Sequence, residues 1–144
     1  MESPSIHILI VEDNLEHQRI TEYALKHNNI RGTFTVVRDG QEALDYLYGE
    51  RDFADASEHA RPDLILLDLN IPKRDGREVL RIIKQDPSLN DIPVVIVSTS
   101  DREEDVTYAF QTGAVAYISK SGGFDKFNSD IGSVAQYARR APEL

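Results

Sequence analysis

Short apolar runs and longer amphipathic segments alternate along this chain of 144 residues. The apolar runs predict five strands, which lie near residues 6–11, 33–37, 63–67, 92–97 and 116–119. Each run is followed by a stretch with apolar residues at helical spacing, which is typical of a helix packed on one face. Five strand–helix units of this size predict an α/β domain with right-handed crossovers, one central parallel sheet and helices on both of its faces.

The third apolar run ends abruptly on a carboxylate. Residues 64–67 are all apolar, so this strand is predicted to be buried on both faces, as in a parallel sheet. Asp68 then stands at the carboxyl end of the strand, the edge of an open α/β sheet where ligands bind. Pro72 and the pair Asp75-Gly76 predict a turn directly afterwards, which places Asp68 on a short, stiff loop.

Three other predicted strands also end on polar side chains. The first ends on Glu12-Asp13, the fourth on Ser98-Thr99 and the fifth on Lys120. If these strands are parallel neighbours, carboxylates, a hydroxyl and an amine converge at one edge of the sheet. Taken singly, each has an ordinary structural interpretation, since an Asp that ends a strand often caps the next turn and most such lysines are solvated.

The whole set of strand-end residues resembles the receiver domain of two-component response regulators, whose stand-alone members are of the CheY type. The resemblance extends from about Ile6 to Ala138. It implies a flavodoxin-like, doubly wound (βα)5 fold with a five-stranded parallel sheet in the order 2-1-3-4-5. It also implies a single receiver domain over residues 5–140 without an output domain, so that output would pass through a partner protein.

The same resemblance assigns roles to the residues at the sheet edge. Asp13 and Asp68 would bind Mg²⁺ directly, Glu12 largely through water, and the backbone carbonyl of Asn70 would complete the ligands. Asp68 would be the nucleophile that accepts a phosphoryl group from a phosphohistidine on a sensor kinase. Lys120 would contact the phosphoryl oxygens. Enzymatic activity would be confined to phosphoryl transfer and dephosphorylation at Asp68.

Two residues would form a conformational switch. Ser98 would offer its hydroxyl to the phosphoryl group and move inward, and an aromatic side chain at Tyr117 would turn into the vacated space. That motion would alter the face built from the fourth helix, the fifth strand and the fifth helix, which the resemblance implies to be a surface for a homodimer or a downstream protein. Tyr117 has an equally ordinary interpretation as a partly buried strand aromatic.

A long connection and two departures from the family pattern modify this picture. Residues 49–62 lose the helical period and resemble the long connection of single-domain regulators paired with phytochrome-type kinases. Thr99 replaces a small residue and is expected to restrict access to Asp68. Ser121 replaces a proline, so the Lys120–Ser121 bond is predicted to be trans, with Gly122-Gly123 leaving Lys120 loosely held.

Two helix boundaries follow from local signals. Asp101 is predicted to cap the fourth helix. The final helix is predicted to run to Arg139-Arg140 because apolar residues recur at nearly ideal helical spacing. These residues are Phe124, Phe127, Ile131, Val134 and Ala138.

Composition narrows the classes of function. With 25 acidic and 16 basic residues the net charge is −9, which opposes direct binding to nucleic acid or anionic lipid. The absence of cysteine, of a signal peptide and of any membrane-length apolar run predicts a soluble cytoplasmic protein. The four histidines show no zinc-ligand spacing and are interpreted as structural or surface residues. They are His7, His17, His27 and His59.

Three other functions use related features. A receiver-like adaptor that binds its partner without phosphorylation would share the fold, but such proteins typically lack one of the acidic or lysine positions. A haloacid-dehalogenase-type phosphatase needs a second Asp where this chain has Asn70. A flavodoxin-like FMN-binding protein needs a phosphate loop after the first strand, where Glu12-Asp13-Asn14 would repel phosphate.

Overall fold

The computed structural model describes residues 6–49 and 61–138. Its strands are β1 (Ile6–Val11), β2 (Gly32–Val37), β3 (Leu64–Leu67), β4 (Val94–Ser98) and β5 (Ala116–Ser119). Its α-helices are α1 (Leu15–His27), α2 (Gly40–Tyr48), α3 (Gly76–Gln85), α4 (Glu103–Thr112) and α5 (Phe124–Gly132). Strands and helices therefore alternate as the hydrophobic pattern predicts.

The five strands form one parallel sheet in the order β2-β1-β3-β4-β5. The register aligns the carboxyl ends of the inner strands, because Val11 pairs with Leu67, and Leu67 pairs with Ile96. This is the predicted order 2-1-3-4-5, and it makes β1 and β3 direct neighbours. The residues that follow these two strands are therefore held side by side.

The hydrophobic core consists of two layers, one on each face of the sheet. Leu9 and Ile65 belong to the layer under α2, α3 and α4, whereas Ile8 and Leu64 belong to the layer under α1 and α5. This alternation follows from the period of two along a strand. All of Leu64–Leu67 is buried, as predicted for a strand that is covered on both faces.

Side chains at the helix starts fix the loops that follow the strands. The side chain of Asn14 accepts a hydrogen bond from His17 N at 3.0 Å and caps α1. Asp75 caps α3 in the same way by accepting from Arg77 N at 2.7 Å. The loops after β1 and β3 are therefore short and closed by hydrogen bonds on their helix side.

The structure corrects two predicted helix boundaries. Arg102, not Asp101, is the N-cap of α4, and it forms no side-chain capping hydrogen bond. The final α-helix ends at Gly132 and is followed by a 3-10 helix over Val134–Tyr137. Two features explain why the α-helix ends there. Glycine is a poor helix former, and the hydroxyl of the adjacent Ser133 donates a hydrogen bond to the carbonyl oxygen of Asp130 at 2.7 Å.

Parts of two predictions lie outside the described residues. These are the end of the final helix at residues 139–140 and the connection at residues 50–60. Within the described ranges, none of the helices is both long enough and apolar enough to cross a membrane.

Gly76 fits against the loop that carries Asp68, and we expect Gly76→Ala to destabilise the protein. A Cβ atom there would lie 2.2 Å from the carbonyl oxygen of Asp68 and 2.6 Å from the Cα of Leu69. Because both atoms belong to the backbone, the free energy of unfolding should fall by about 1–3 kcal/mol, measured by urea denaturation.

The matched control is Gly122→Ala. A Cβ atom at that position would meet the flexible Cδ of Lys126 at 3.0 Å, so we expect a change within about 0.5 kcal/mol. Equal stabilities of the two variants would show that the loop after β3 has room that the structure does not contain.

Candidate functional site

A cluster of three carboxylates lies at the carboxyl edge of the sheet. Glu12 and Asp13 follow β1, Asp68 follows β3, and one oxygen of each lies within 4.8 Å of the others. The side chains of Glu12 and Asp68 are only 5% and 8% exposed, whereas Asp13 is exposed. The pairing of β1 with β3 produces this arrangement, since Asp68 N donates to Val11 O at 3.1 Å.

The ammonium group of Lys120 lies between the two buried carboxylates. It donates to an oxygen of Glu12 and, at 2.9 Å, to Oδ2 of Asp68. Its third contact is Nδ1 of His17 at 3.0 Å. The Lys120 side chain is 7% exposed, so an ammonium with three donors is taken out of water with a partner for each donor.

Backbone amides bind the remaining carboxylate oxygens. Asn70 N donates to Oδ1 of Asp68 at 2.9 Å, and Asn14 N donates to Oε2 of Glu12 at 3.2 Å. Each buried carboxylate is thus fixed by Lys120 on one oxygen and by its own loop on the other. Burial raises the pKa of Glu12, and the hydrogen bond and the charge of Lys120 oppose that rise.

The donor set of the cluster suits a hard divalent cation. Glu12, Asp13 and Asp68 supply carboxylate oxygens, which Mg²⁺ and Mn²⁺ prefer. Lys120 already binds one oxygen of Glu12 and one of Asp68, so its ammonium and a cation are attracted to the same two carboxylates and compete for them. These residues therefore fit a cation site. The place that a cation would take among them depends on the direction of the Lys120 side chain.

His17 belongs to this site, although the sequence analysis interpreted it as a structural or surface residue. It lies in the first turn of α1, and its ring contacts Lys120 and approaches Glu12 at 3.8 Å. Burial lowers the pKa of His17, and the nearby charge of Lys120 lowers it further. A signal was available, because side chains in the first turn of a helix point back toward the residues that precede it.

Both predicted switch residues contact one residue of the loop between β4 and α4. Ser98 is fully buried, and its hydroxyl accepts a hydrogen bond from Ser100 N at 3.1 Å. The hydroxyl of Tyr117, which is half-buried, donates to Ser100 O at 2.8 Å. Burial raises the pKa of Tyr117. Ser100 therefore connects the strand-end hydroxyl to the aromatic ring.

Hydrogen bonds continue from this loop to α3 and α4. The hydroxyl of Ser100 donates to Oδ2 of Asp105 at 2.6 Å, and Arg77 donates to Oδ1 of Asp105 at 2.9 Å. These bonds hold the pKa of Asp105 below its usual range, Ser100 more strongly than Arg77. A change at Ser98 thus has a connected route to the start of both helices.

The loop after β5 is better ordered than predicted. The described residues contain no cis peptide bond, so the Lys120–Ser121 bond is trans, as predicted. The expected loose hold on Lys120 is wrong. Asp101 accepts hydrogen bonds from the hydroxyls of Ser119 and Ser121, each at 2.6 Å, and so ties the two loops together.

We expect Lys120→Met to raise the affinity for Mg²⁺, because it removes a charge that competes for the oxygens of Glu12 and Asp68. The dissociation constant should fall roughly tenfold, as measured by isothermal titration calorimetry. Lys126→Met, which removes an exposed lysine of α5, is the control. An equal change in the two variants, or a weaker affinity in Lys120→Met, would contradict the competition.

Comparison with known proteins places this arrangement in context. The family model described as the response regulator receiver domain matches residues 8–131. The response regulator Rcp1 of Synechocystis sp. is 42% identical over 114 residues, which are 79% of this chain and 76% of that protein.

Two solved structures are similar over nearly the whole chain. The Mn²⁺-bound form of response regulator Rcp1 has a TM-score of 0.81 and 37% identity, covering 91% of this chain and 92% of that one. The phosphorylated cyanobacterial phytochrome response regulator RcpA has a TM-score of 0.84 and 38% identity, covering 98% of this chain and 100% of that one.

Proposed function

This chain belongs to the response regulator receiver domain family, and from that premise we propose that it accepts a phosphoryl group on Asp68 from a phosphohistidine of a sensor kinase. Members of the family are response regulators of two-component systems and are in general signalling proteins, not enzymes. One observation carries the proposal: the Asp68 carboxylate lies at the sheet edge among other carboxylates, with the Lys120 ammonium 2.9 Å away.

The proposed reaction is a displacement at phosphorus. A carboxylate oxygen of Asp68 forms the new O–P bond while the N–P bond of the phosphohistidine breaks, and its electron pair returns to the imidazole nitrogen, which takes up a proton. Asn70 N would hold the other carboxylate oxygen in place during attack. Positioning and charge neutralisation are the main requirements of such a transfer.

A divalent cation would supply part of that neutralisation. The proposed ligands of Mg²⁺ are Glu12, Asp13, Asp68 and the backbone carbonyl of Asn70. The oxygen donors that gather at the sheet edge support this assignment, and the Mn²⁺-bound form of the relative Rcp1 agrees with it. When bound, the cation would offset the negative charge of the cluster and of the incoming phosphoryl oxygens.

Lys120 would change partners during the reaction. Its ammonium binds Glu12 and Asp68 in the structure, and it would move to the phosphoryl oxygens as the Asp68 carboxylate becomes an acyl phosphate and loses its own negative charge. Ser98 would provide a second hydrogen bond through its hydroxyl. In our proposal Ser98 turns toward the phosphoryl group and away from the amide of Ser100, which lies 3.1 Å from its Oγ.

We propose that this turn is the switch. Releasing Ser100 N would alter the loop that also holds the Tyr117 hydroxyl, and through Asp105 it would reach the start of α4. The face of α4, β5 and α5 would then present a different surface. The exposed Phe110 and Val115 of this region, 48% and 40% exposed, suit contact with a homodimer partner or a downstream protein.

The proposed phosphoryl donor is a sensor histidine kinase of the phytochrome type. Support comes from the relative RcpA, which is described as a phytochrome response regulator in its phosphorylated form. Autodephosphorylation at Asp68 and a cytoplasmic location belong to the same proposal, with the negative net charge of −9 arguing against direct attachment to nucleic acid.

Acetyl phosphate is expected to label Asp68 when Mg²⁺ is present. Intact-mass spectrometry should show one added phosphoryl group in the wild type, and peptide mapping should locate it at Asp68. Asp68→Asn and treatment with EDTA should each reduce labelling at least about tenfold, because one removes the nucleophile and the other the cation.

Asp125→Asn is the matched control, since it changes the same residue type at an exposed position of α5. This variant should label like the wild type. Labelling that persists in Asp68→Asn would contradict the assignment of Asp68 as the phosphorylated residue. Labelling that is unchanged by EDTA would contradict the need for a divalent cation. Absence of labelling in every form would favour an adaptor that works without phosphorylation.

A further inference from the structure

An exposed carboxylate outside the acidic cluster bridges the two loops that flank Lys120 and Ser98. Asp101 lies in the loop between β4 and α4, and its two oxygens accept hydrogen bonds from the last residue of β5 and from the loop that follows it. The donors are Ser119 and Ser121, the residues directly before and after Lys120. The residue between the two bridged positions therefore carries the ammonium of the site.

The two hydrogen bonds to Asp101 determine where the hydroxyl protons of Ser119 and Ser121 point. Each serine hydroxyl has one proton, and a carboxylate is a stronger acceptor than a neutral hydroxyl. The contact of 2.8 Å between the Ser119 and Ser121 oxygens is then a consequence of their shared acceptor. Ser121 N also donates to Ser119 Oγ at 3.1 Å, which closes the loop around Lys120.

Asp101 makes this bridge where it was expected to cap a helix. The N-cap of α4, Arg102, has no side-chain capping bond, although such a cap would stabilise the helix. The Asp101 side chain instead reaches across to the neighbouring loop. Two hydroxyls on this carboxylate also hold the pKa of Asp101 below its usual range, so the side chain stays ionised near neutral pH.

The chain after Lys120 gives little other support. Gly122 and Gly123 follow Ser121, Gly123 has φ +94°, and α5 begins without a side-chain cap. Glycine pairs lose more backbone freedom on ordering than other residues, so Gly122 and Gly123 themselves add little to the hold on Lys120. On the other side, Lys120 N donates to Ser98 O at 2.8 Å, which fixes the backbone but not the direction of the side chain.

We propose that Asp101 is a positioning residue, which directs the Lys120 ammonium into the acidic site by binding Ser119 and Ser121 on either side of it. This inference rests on the proposed function, because it assigns to Asp101 an effect on the phosphoryl group that acts only through Lys120. Asp101 itself contacts neither the acidic cluster nor the reacting atoms.

The test measures the affinity of the protein for beryllofluoride at saturating Mg²⁺, by isothermal titration calorimetry. Asp101→Ala should weaken beryllofluoride binding about three- to tenfold, because a misdirected ammonium loses part of a charge-assisted contact. Ser121→Ala should give a smaller loss in the same direction. Glu103→Ala, which removes a carboxylate two residues away at an exposed position, should match the wild type.

Two further readouts separate positioning from general damage. In Asp101→Ala the affinity for Mg²⁺ alone should rise, by less than in Lys120→Met, because a misdirected ammonium competes less for Glu12 and Asp68. The melting temperature should stay near the wild-type value. In a Lys120→Met background, Asp101→Ala should cause no additional loss, since a residue that acts through Lys120 has nothing left to direct.

Several outcomes would overturn the inference. Equal beryllofluoride affinities of Asp101→Ala and Glu103→Ala would show that the Asp101 bridge does not position Lys120. A parallel fall in Mg²⁺ affinity, or an equal loss in the Lys120→Met background, would assign Asp101 a purely structural role. If Asp101→Ala fails to fold, Ser121→Ala decides by the same criteria. A wild type that binds no beryllofluoride with Mg²⁺ would refute the proposed function itself, and the positioning role with it.

Discussion

The buried ammonium of Lys120 is the interaction on which the site depends. Two carboxylates that are 5% and 8% exposed would repel each other strongly if nothing positive lay between them. Removing these charges from water costs a large desolvation free energy. That cost is offset only when the ion pairs have good geometry and the remaining carboxylate oxygens accept hydrogen bonds. The amides of Asn14 and Asn70 satisfy that condition at Glu12 and Asp68.

The strand order is the reason that these groups can meet. β1 and β3 are neighbours at the centre of the sheet, so the residues that follow them share one edge, and β4 and β5 bring Ser98 and Lys120 to the same edge. The loops between strands and helices then connect this edge to the helices. Ser100, in the loop between β4 and α4, is the central contact, because it meets Ser98 of β4, Tyr117 of β5 and Asp105 of α4.

The sequence predicts the fold well because its signals are local and repeated. Apolar runs such as residues 64–67 are buried on both faces, and a parallel sheet must then align their polar ends. The final helix was predicted too long because apolar spacing continues through Val134, while Gly132 and Ser133 end the α-helical hydrogen bonds. Periodicity reports burial, and it does not distinguish an α-helix from a 3-10 helix that buries the same side chain.

The parts of the site that sequence reasoning missed depend on contacts between distant segments. His17 was accessible in principle, since it lies one turn beyond the acidic pair, but its contact with Lys120 joins residues 103 positions apart. Asp101 has the local signature of a helix cap, and nothing near it in the sequence indicates that two serines on either side of Lys120 bind its carboxylate. Only the packing of the loop after β5 against the loop after β4 reveals that pairing.

The most direct test of this account is a crystal structure of the protein with Mg²⁺ and beryllofluoride. The account predicts beryllofluoride on a carboxylate oxygen of Asp68, the cation among Glu12, Asp13 and Asp68, and the Lys120 ammonium moved from Asp68 onto a fluorine. Ser98 should donate to another fluorine instead of accepting from Ser100 N. A structure in which Lys120 still bridges Glu12 and Asp68, with beryllofluoride bound elsewhere or not at all, would contradict the central claim.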